Sequence, residues 1–104
     1  VGIRLRSSAV PLVEGASALA EGGASPGGTG RNTDAFASRV RWAAGVADSL
    51  RALFFSPETS GGLLAAVPPE KAAACLSALR GAGVQAEAIG EATAAVEPGT
   101  ITVD

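Results

Sequence analysis

The chain has 104 residues, eight basic and ten acidic side chains, one Cys and no His, a length that buries one core and little more. A lone Cys without His excludes a disulfide framework, an all-protein zinc site and a Ser–His or Cys–His catalytic pair. A formal charge of −2 argues against nucleic acid or an anionic membrane as partner, and no run approaches the ~18 apolar residues of a bilayer span.

The opening Val1-Gly2-Ile3-Arg4-Leu5-Arg6 has no Met and no charged-then-apolar leader, so it reads as an internal start. Val1, Ile3 and Leu5 alternate with Gly2, Arg4 and Arg6, the period of a half-buried strand, which Ser7-Ser8 breaks. Pro11 suits a first helical turn, and Leu12, Ala16, Leu19 and Ala20 share one helix face. Gly22-Gly23 ends that helix. Residues 22–32 are too rich in Gly and Pro for a regular element. Asn32 is placed to cap a short helix over Thr33–Ala37, with Asp34 in its first turn.

Val40 and Trp42 alternate with Arg39 and Arg41 as a short strand. Val46, Leu50, Leu53 and Phe54 then fall at helical spacing, and Phe55-Ser56-Pro57 stops that helix. Glu58 to Gly62 is a loop. Leu63 to Val67 is an uncharged apolar run, expected as a central strand buried on both faces. Pro68-Pro69-Glu70 opens a third helix with a stripe of Ala72, Cys75, Leu76 and Leu79, ended by Gly81 and Gly83. Val84, Ala86 and Ala88 alternate as the next strand, and Ile101–Val103 is a last one after a turn at Glu97-Pro98-Gly99. Strands interleaved with helices predict an α/β layer, helices packed on a mixed sheet. With 23 Ala residues the helices are expected to approach that sheet closely.

Charge is uneven: six Arg face four acids in residues 1–51, and Lys71 and Arg80 face six acids in the remainder. Arg31, Arg39 and Arg41 follow a Gly-rich stretch, either as a solvated face or as an anion-facing edge. Cys75 sits on the apolar stripe and reads as a small hydrophobe. Trp42 and the three Phe residues read as core.

Two Gly-rich segments are the informative ones. Ser25-Pro26-Gly27-Gly28-Thr29-Gly30-Arg31-Asn32 offers unshielded amides, a hydroxyl and a guanidinium ahead of a helix N-terminus, which suits a phosphate oxygen. It is neither a Walker loop nor a dinucleotide fingerprint, and such loops are more often sharp turns than anion sites. Ser56-Pro57-Glu58-Thr59-Ser60-Gly61-Gly62-Leu63-Leu64 sets two hydroxyls and two glycines before the apolar run. It allows close approach of a ligand or a backbone, or it is a connection with positive φ at Gly61 or Gly62. Glu58, a single carboxylate, makes a poor case for general acid–base work.

Pro26-Gly27-Gly28-Thr29, Arg31-Asn32, Val40-Arg41-Trp42, Pro57-Glu58-Thr59-Ser60-Gly61-Gly62-Leu63-Leu64 and Ile89-Gly90-Glu91 stand in an order and spacing that resemble the C-terminal part of the selenophosphate synthetase (selenide, water dikinase) family. The resemblance runs from the opening strand to Ile101–Val103. It departs at Ser56, where bacterial members often carry Asp, and at Glu58, where many carry Gln.

The resemblance implies an aminoimidazole-ribonucleotide-synthetase-like fold, with residues 1–104 as a C-terminal domain and an N-terminal ATP-binding domain as the missing partner. It implies a cytoplasmic, homodimeric parent that binds neither nucleic acid nor membrane. That parent converts ATP, selenide and water into selenophosphate, AMP and phosphate with Mg²⁺. It further implies that Gly27, Gly28, Thr29, Arg31, Asn32, Thr59, Ser60, Gly61 and Gly62 face substrate and ATP. The family's essential Cys or selenocysteine, its Lys and its metal-binding Asp residues would lie upstream. Cys75 does not match that Cys. No catalytic or metal-binding residue is therefore expected here, and the fragment alone is expected to be inactive and to bind no cofactor. Two rival readings are a sister ATP-dependent enzyme of the same fold group and a non-catalytic binding or scaffold domain.

Overall fold

A computed structural model describes residues 1–94 and 98–104. Four strands form one mixed sheet: β1 (Gly2–Leu5), β2 (Val40–Trp42), β3 (Gly90–Thr93) and β4 (Ile101–Val103), in the order β2-β4-β1-β3. β4 runs parallel to both β1 and β2, and β3 runs antiparallel to β1. The fold is thus the expected α/β arrangement on a mixed sheet. The predicted strands at the chain start, at Val40–Trp42 and at Ile101–Val103 are all present.

The register sorts side chains by face. Ile3 and Val40 flank Ile101, and Leu5 and Trp42 flank Val103. This face carries the core, with Val103 only 1% exposed. On the other face Arg4 and Arg41 flank Thr102 and all three are exposed. Arg4 donates from Nε and Nη2 to one Asp104 carboxylate oxygen at 3.0 and 2.7 Å, which holds its guanidinium above its ordinary value. Asp104 N–H also donates to Leu5 O at 3.0 Å, extending the parallel ladder by one residue.

The helices are α1 (Ala16–Glu21), α2 (Gly28–Phe36), α3 (Asp48–Phe54) and α4 (Pro69–Gly81), with 3-10 turns at Ser7–Ala9 and Ala37–Arg39. Glycine ends two of them as expected. At α1 Gly23 (φ +85°) donates to Ala20 O and Ala24 to Leu19 O; at α4 Gly83 (φ +79°) donates to Arg80 O and Val84 to Leu79 O. Both are Schellman closures, which satisfy the last carbonyls only with a residue in the left-handed region.

Five expectations are corrected. Helix α1 starts at Ala16, not near Pro11, because Gly15 stands before it at φ +81° and interrupts any helix begun upstream. Helix α2 starts at Gly28, inside the segment expected to be irregular, so Asn32 is an interior residue and not a cap. Leu63 to Val67 is not a strand and not central: the slot between β1 and β2 is filled by β4, and residues 63–67 pair with neither outer strand of the sheet. Val84 to Ala88 is not a strand either. Gly90 pairs with Leu5 and Ile89 O accepts from Arg6 N–H at 2.8 Å, but β1 then curls into the turn at Ser7–Ala9 and leaves residues 84–88 no ladder. Phe36 is exposed rather than core. The turn expected at Glu97-Pro98-Gly99 lies partly outside the described residues. Gly99, described, has φ +84° and donates to Val1 O at 3.0 Å.

Trp42, expected as core, is half-buried within a ring cluster. The rings of Phe54 and Phe55 lie 5.9 Å from it, and the Arg51 guanidinium sits 5.6 Å over its face. Those contacts dock α3 on β2 and so fix where the chain leaves α3 at Phe55.

Candidate functional site

The N-terminus of α2 and the exit from α3 form one corner of the molecule. Gly27 precedes α2 with no side chain capping its amides, so the first turn keeps donors that water or an anion can take. Thr29 N–H is already used, donating to Pro26 O at 3.0 Å. The Thr29 residue is 6% exposed, and its Oγ1 is enclosed without a hydrogen-bond partner among the described residues. One turn on, Thr33 Oγ1 donates to Thr29 O at 2.9 Å. The Thr33–Thr29 bond, and not apolar periodicity, supports this Gly-Thr-Gly helix start, where two glycines oppose helix formation by about 1 kcal/mol each and the unpartnered Thr29 hydroxyl adds a desolvation cost.

Arg31 is exposed and extends back along the helix start: its Nη2 lies 3.6 Å from the point a Cβ on Gly28 would occupy. A cationic fork beside uncapped amides is an arrangement that can receive a phosphate or similar oxyanion. Arg39 and Arg41, read from the sequence as either a solvated face or part of an anion-facing edge, do not join Arg31 here. Arg41 is on the outer sheet face and donates from Nη1 to Ser38 O at 3.0 Å, and Arg39 Nη1 lies near Gly99.

The second segment meets the first at its near end only. Pro57 packs its ring on Gly28, and Asn32 Nδ2 donates to Phe55 O at 2.9 Å. Thr59, Ser60, Gly61 and Gly62 are exposed. Neither Gly61 nor Gly62 has positive φ, which corrects the connection reading of those glycines. Nor is Gly61 required sterically: a Cβ there would sit 2.5 Å from Glu58 Oε2, the end of an exposed, flexible side chain that can swing aside. Gly62 has open space.

Of the nine residues expected to face ligand, the structure leaves Gly27, Arg31, Thr59, Ser60, Gly61 and Gly62 accessible. Gly28, Thr29 and Asn32 are turned to packing. Sequence reasoning missed Phe55 O and Pro57 as partners of the first segment, and a contact between residues 28 and 57 has no local signal. It also gave no reason for Gly90. Here a Cβ would collide with the carbonyl of Arg4, so the β1–β3 pairing admits only glycine at that position.

Among the described residues, no three of the His, Cys, Asp and Glu side chains are grouped to hold a metal ion. No helix among the described residues is long and apolar enough to cross a membrane. Cys75, with Ala72 and Leu76, lies on the half-buried side of α4, while Leu79 is exposed, so the expected buried stripe is only partly covered.

Residues 1–102 match the family described as AIR synthase related protein, C-terminal domain. The chain is 41% identical over 85 residues to a selenide, water dikinase of Myxococcus xanthus, a match covering 82% of this chain and 24% of that protein. It is 38% identical over 88 residues to a selenide, water dikinase of Pelobacter propionicus, and 40% identical over 88 to one of Pseudomonas aeruginosa. Both matches cover 85% of this chain and 25% of the relative. The chain thus spans about a quarter of the length of the curated relatives it matches. Sequence words, mixed sheet and family match agree: the chain belongs to the AIR synthase related family, as its C-terminal domain.

Proposed function

We propose that this chain is the C-terminal domain of a selenophosphate synthetase, an ATP-dependent enzyme that makes selenophosphate, AMP and phosphate from ATP, selenide and water. The supporting observation is an identity of 38–41% to proteins named selenide, water dikinase, sustained over more than four fifths of this chain. In this reading the protein is cytoplasmic and homodimeric, and a separate N-terminal domain binds ATP. Magnesium is held by carboxylates of that domain, and no step on this chain is routed through it.

This chain's part is to present Arg31 and the amides at the start of α2 to a phosphate oxygen, with the hydroxyls of Thr59 and Ser60 on the adjoining loop. Guanidinium and amides favour the charged oxygen, and Gly27, Gly61 and Gly62 keep side chains out of its approach. In this reading the activated nucleophile belongs to the N-terminal domain, and the 104 residues alone are inactive. The test is selenide-dependent AMP formation by the full-length protein and by this chain purified alone. Turnover by the former only is expected; none by the former, or turnover by the latter, overturns the reading.

A further inference from the structure

The two Gly-rich segments are joined by contacts that neither segment announces. A Cβ on Gly28 would lie 2.7 Å from Pro57 Cγ and 3.2 Å from Pro57 Cβ, so the Pro57 ring occupies the space any other residue at 28 would need. One turn further along α2, the Asn32 amide donates to Phe55 O at 2.9 Å in a half-buried setting. Phe55 is itself fixed, since its N–H is shared between Arg51 O and Ala52 O and its ring stands edge-on to Trp42. Ser56 N–H donates to Leu53 O at 3.0 Å. Beyond Pro57 this support ends. Every residue from 58 to 70 is exposed, and residues 62–67 have no backbone hydrogen bond among the described residues.

We propose that Asn32 is a positioning residue: with Gly28 and Pro57 it forms a clasp that aims the Thr59–Gly62 loop from the start of α2, so that the two loops act as one surface. That the surface meets substrate rests on the function proposed above; the clasp does not. A loop held only at its base is directed by that base, and fixing the base before a ligand arrives removes ordering cost from the reaction. The bond needs an N–H donor at position 32. Asp has the shape of Asn but no donor, and it would place a carboxylate against the Phe55 carbonyl oxygen.

The experiment uses the full-length protein carrying Gly28→Cys and Pro57→Cys. The 3.2 Å separation lies just short of the roughly 3.5–4.5 Å between Cβ atoms of a disulfide, so a small shift lets the pair close. Under mild oxidant the 28–57 linked peptide is expected by mass spectrometry, forming about tenfold more slowly once Asn32→Asp is added. In steady-state AMP formation with Cys-free positions 28 and 57, Asn32→Asp is expected to lower kcat about tenfold with KM for ATP within twofold. Closing the 28–57 disulfide in the Asn32→Asp protein should restore kcat to within about threefold, wild type under the same oxidant being the control.

Equal cross-linking rates with and without Asn32→Asp, or no cross-link, overturn the clasp whatever the activity. Asn32-dependent cross-linking with a kcat that the tether leaves low overturns the positioning role. Asn32-dependent cross-linking in a protein that forms no AMP from selenide and ATP supports the clasp and overturns the proposed function, so the two failures are distinct. If the double Cys protein does not fold, thermal midpoints of Gly28→Ala, Pro57→Ala and the pair decide. Relief of the Gly28→Ala loss by Pro57→Ala is expected, and additive losses overturn the contact.

Discussion

Residues 28–56 and residues 57–89 have similar lengths and opposite fates. The first stretch holds buried Thr29 and Val46, the Trp42–Phe54–Phe55 ring cluster and a strand paired to β4. The second contains the most apolar run of the chain, Leu63-Leu64-Ala65-Ala66-Val67, and buries none of it: Leu63 is fully exposed and Leu64 is 69% exposed. Val40-Arg41-Trp42 is the poorer strand by composition, yet it is the one that pairs. A strand is made by an available edge as much as by its residues, because its backbone groups need partners on a neighbour. β4 offers that edge to β2 through the Val40–Ile101 and Trp42–Val103 register, and residues 63–67 lie on neither outer edge of the sheet, β2 or β3.

Substitutions can break this contrast, starting where the sheet is tightest. Gly90→Ala should cost about 3 kcal/mol, the upper end of overpacking, because its Cβ would enter the Arg4 carbonyl and part β1 from β3. Gly62→Ala, in open space, should change stability by less than ~0.5 kcal/mol. Urea unfolding of both variants reads the difference, and equal effects would contradict the placement of β3. Next, on the proposed function, Arg31→Ala in the full-length protein should lose a charge-assisted contact of ~1.5–3 kcal/mol, about tenfold to a hundredfold in kcat/KM. Its melting temperature should not move, since Arg31 is exposed. Unchanged kinetics per folded molecule would remove Arg31 from the ligand surface.

Val103→Ala removes part of a side chain only 1% exposed and should cost about 2 kcal/mol. Leu63→Ala should cost almost nothing in the 104-residue chain, and a loss as large as that of Val103→Ala would show that residues 63–67 are covered in solution. The smallest effect concerns the second stretch alone. Cys75 is half-buried on α4, so Cys75→Ala should cost at most about 1 kcal/mol, and a thiol reagent should label it more slowly than an unfolded control. Labelling as fast as in denaturant would place that face of α4 in open solvent.

Fold class, three of the four strands, both Schellman closures and helices α3 and α4 were legible because each rests on local chemistry: alternation, apolar spacing, Gly after a last turn, Pro at a first. Helix α2 was not. Its Gly-Thr-Gly start has poor intrinsic propensity, and it is held by the Asn32 bond to Phe55 O and by Pro57 seated on Gly28, a residue 29 positions away. The candidate site divides the same way. The residue types that suit an oxyanion were visible as two Gly-rich segments, but which of them face outward was not.

The sequence by itself determined the class of fold, the absence of His and of a second Cys, the turn glycines and the family words, because composition and short-range geometry carry all of these. The tertiary structure decided that β4 and not Leu63–Val67 sits between β1 and β2, that Gly90 faces the Arg4 carbonyl, and that Asn32 holds Phe55. Each of these is a choice among long-range partners, and a hydrogen bond or a steric exclusion between residues 23 or 86 positions apart leaves no periodicity in the chain.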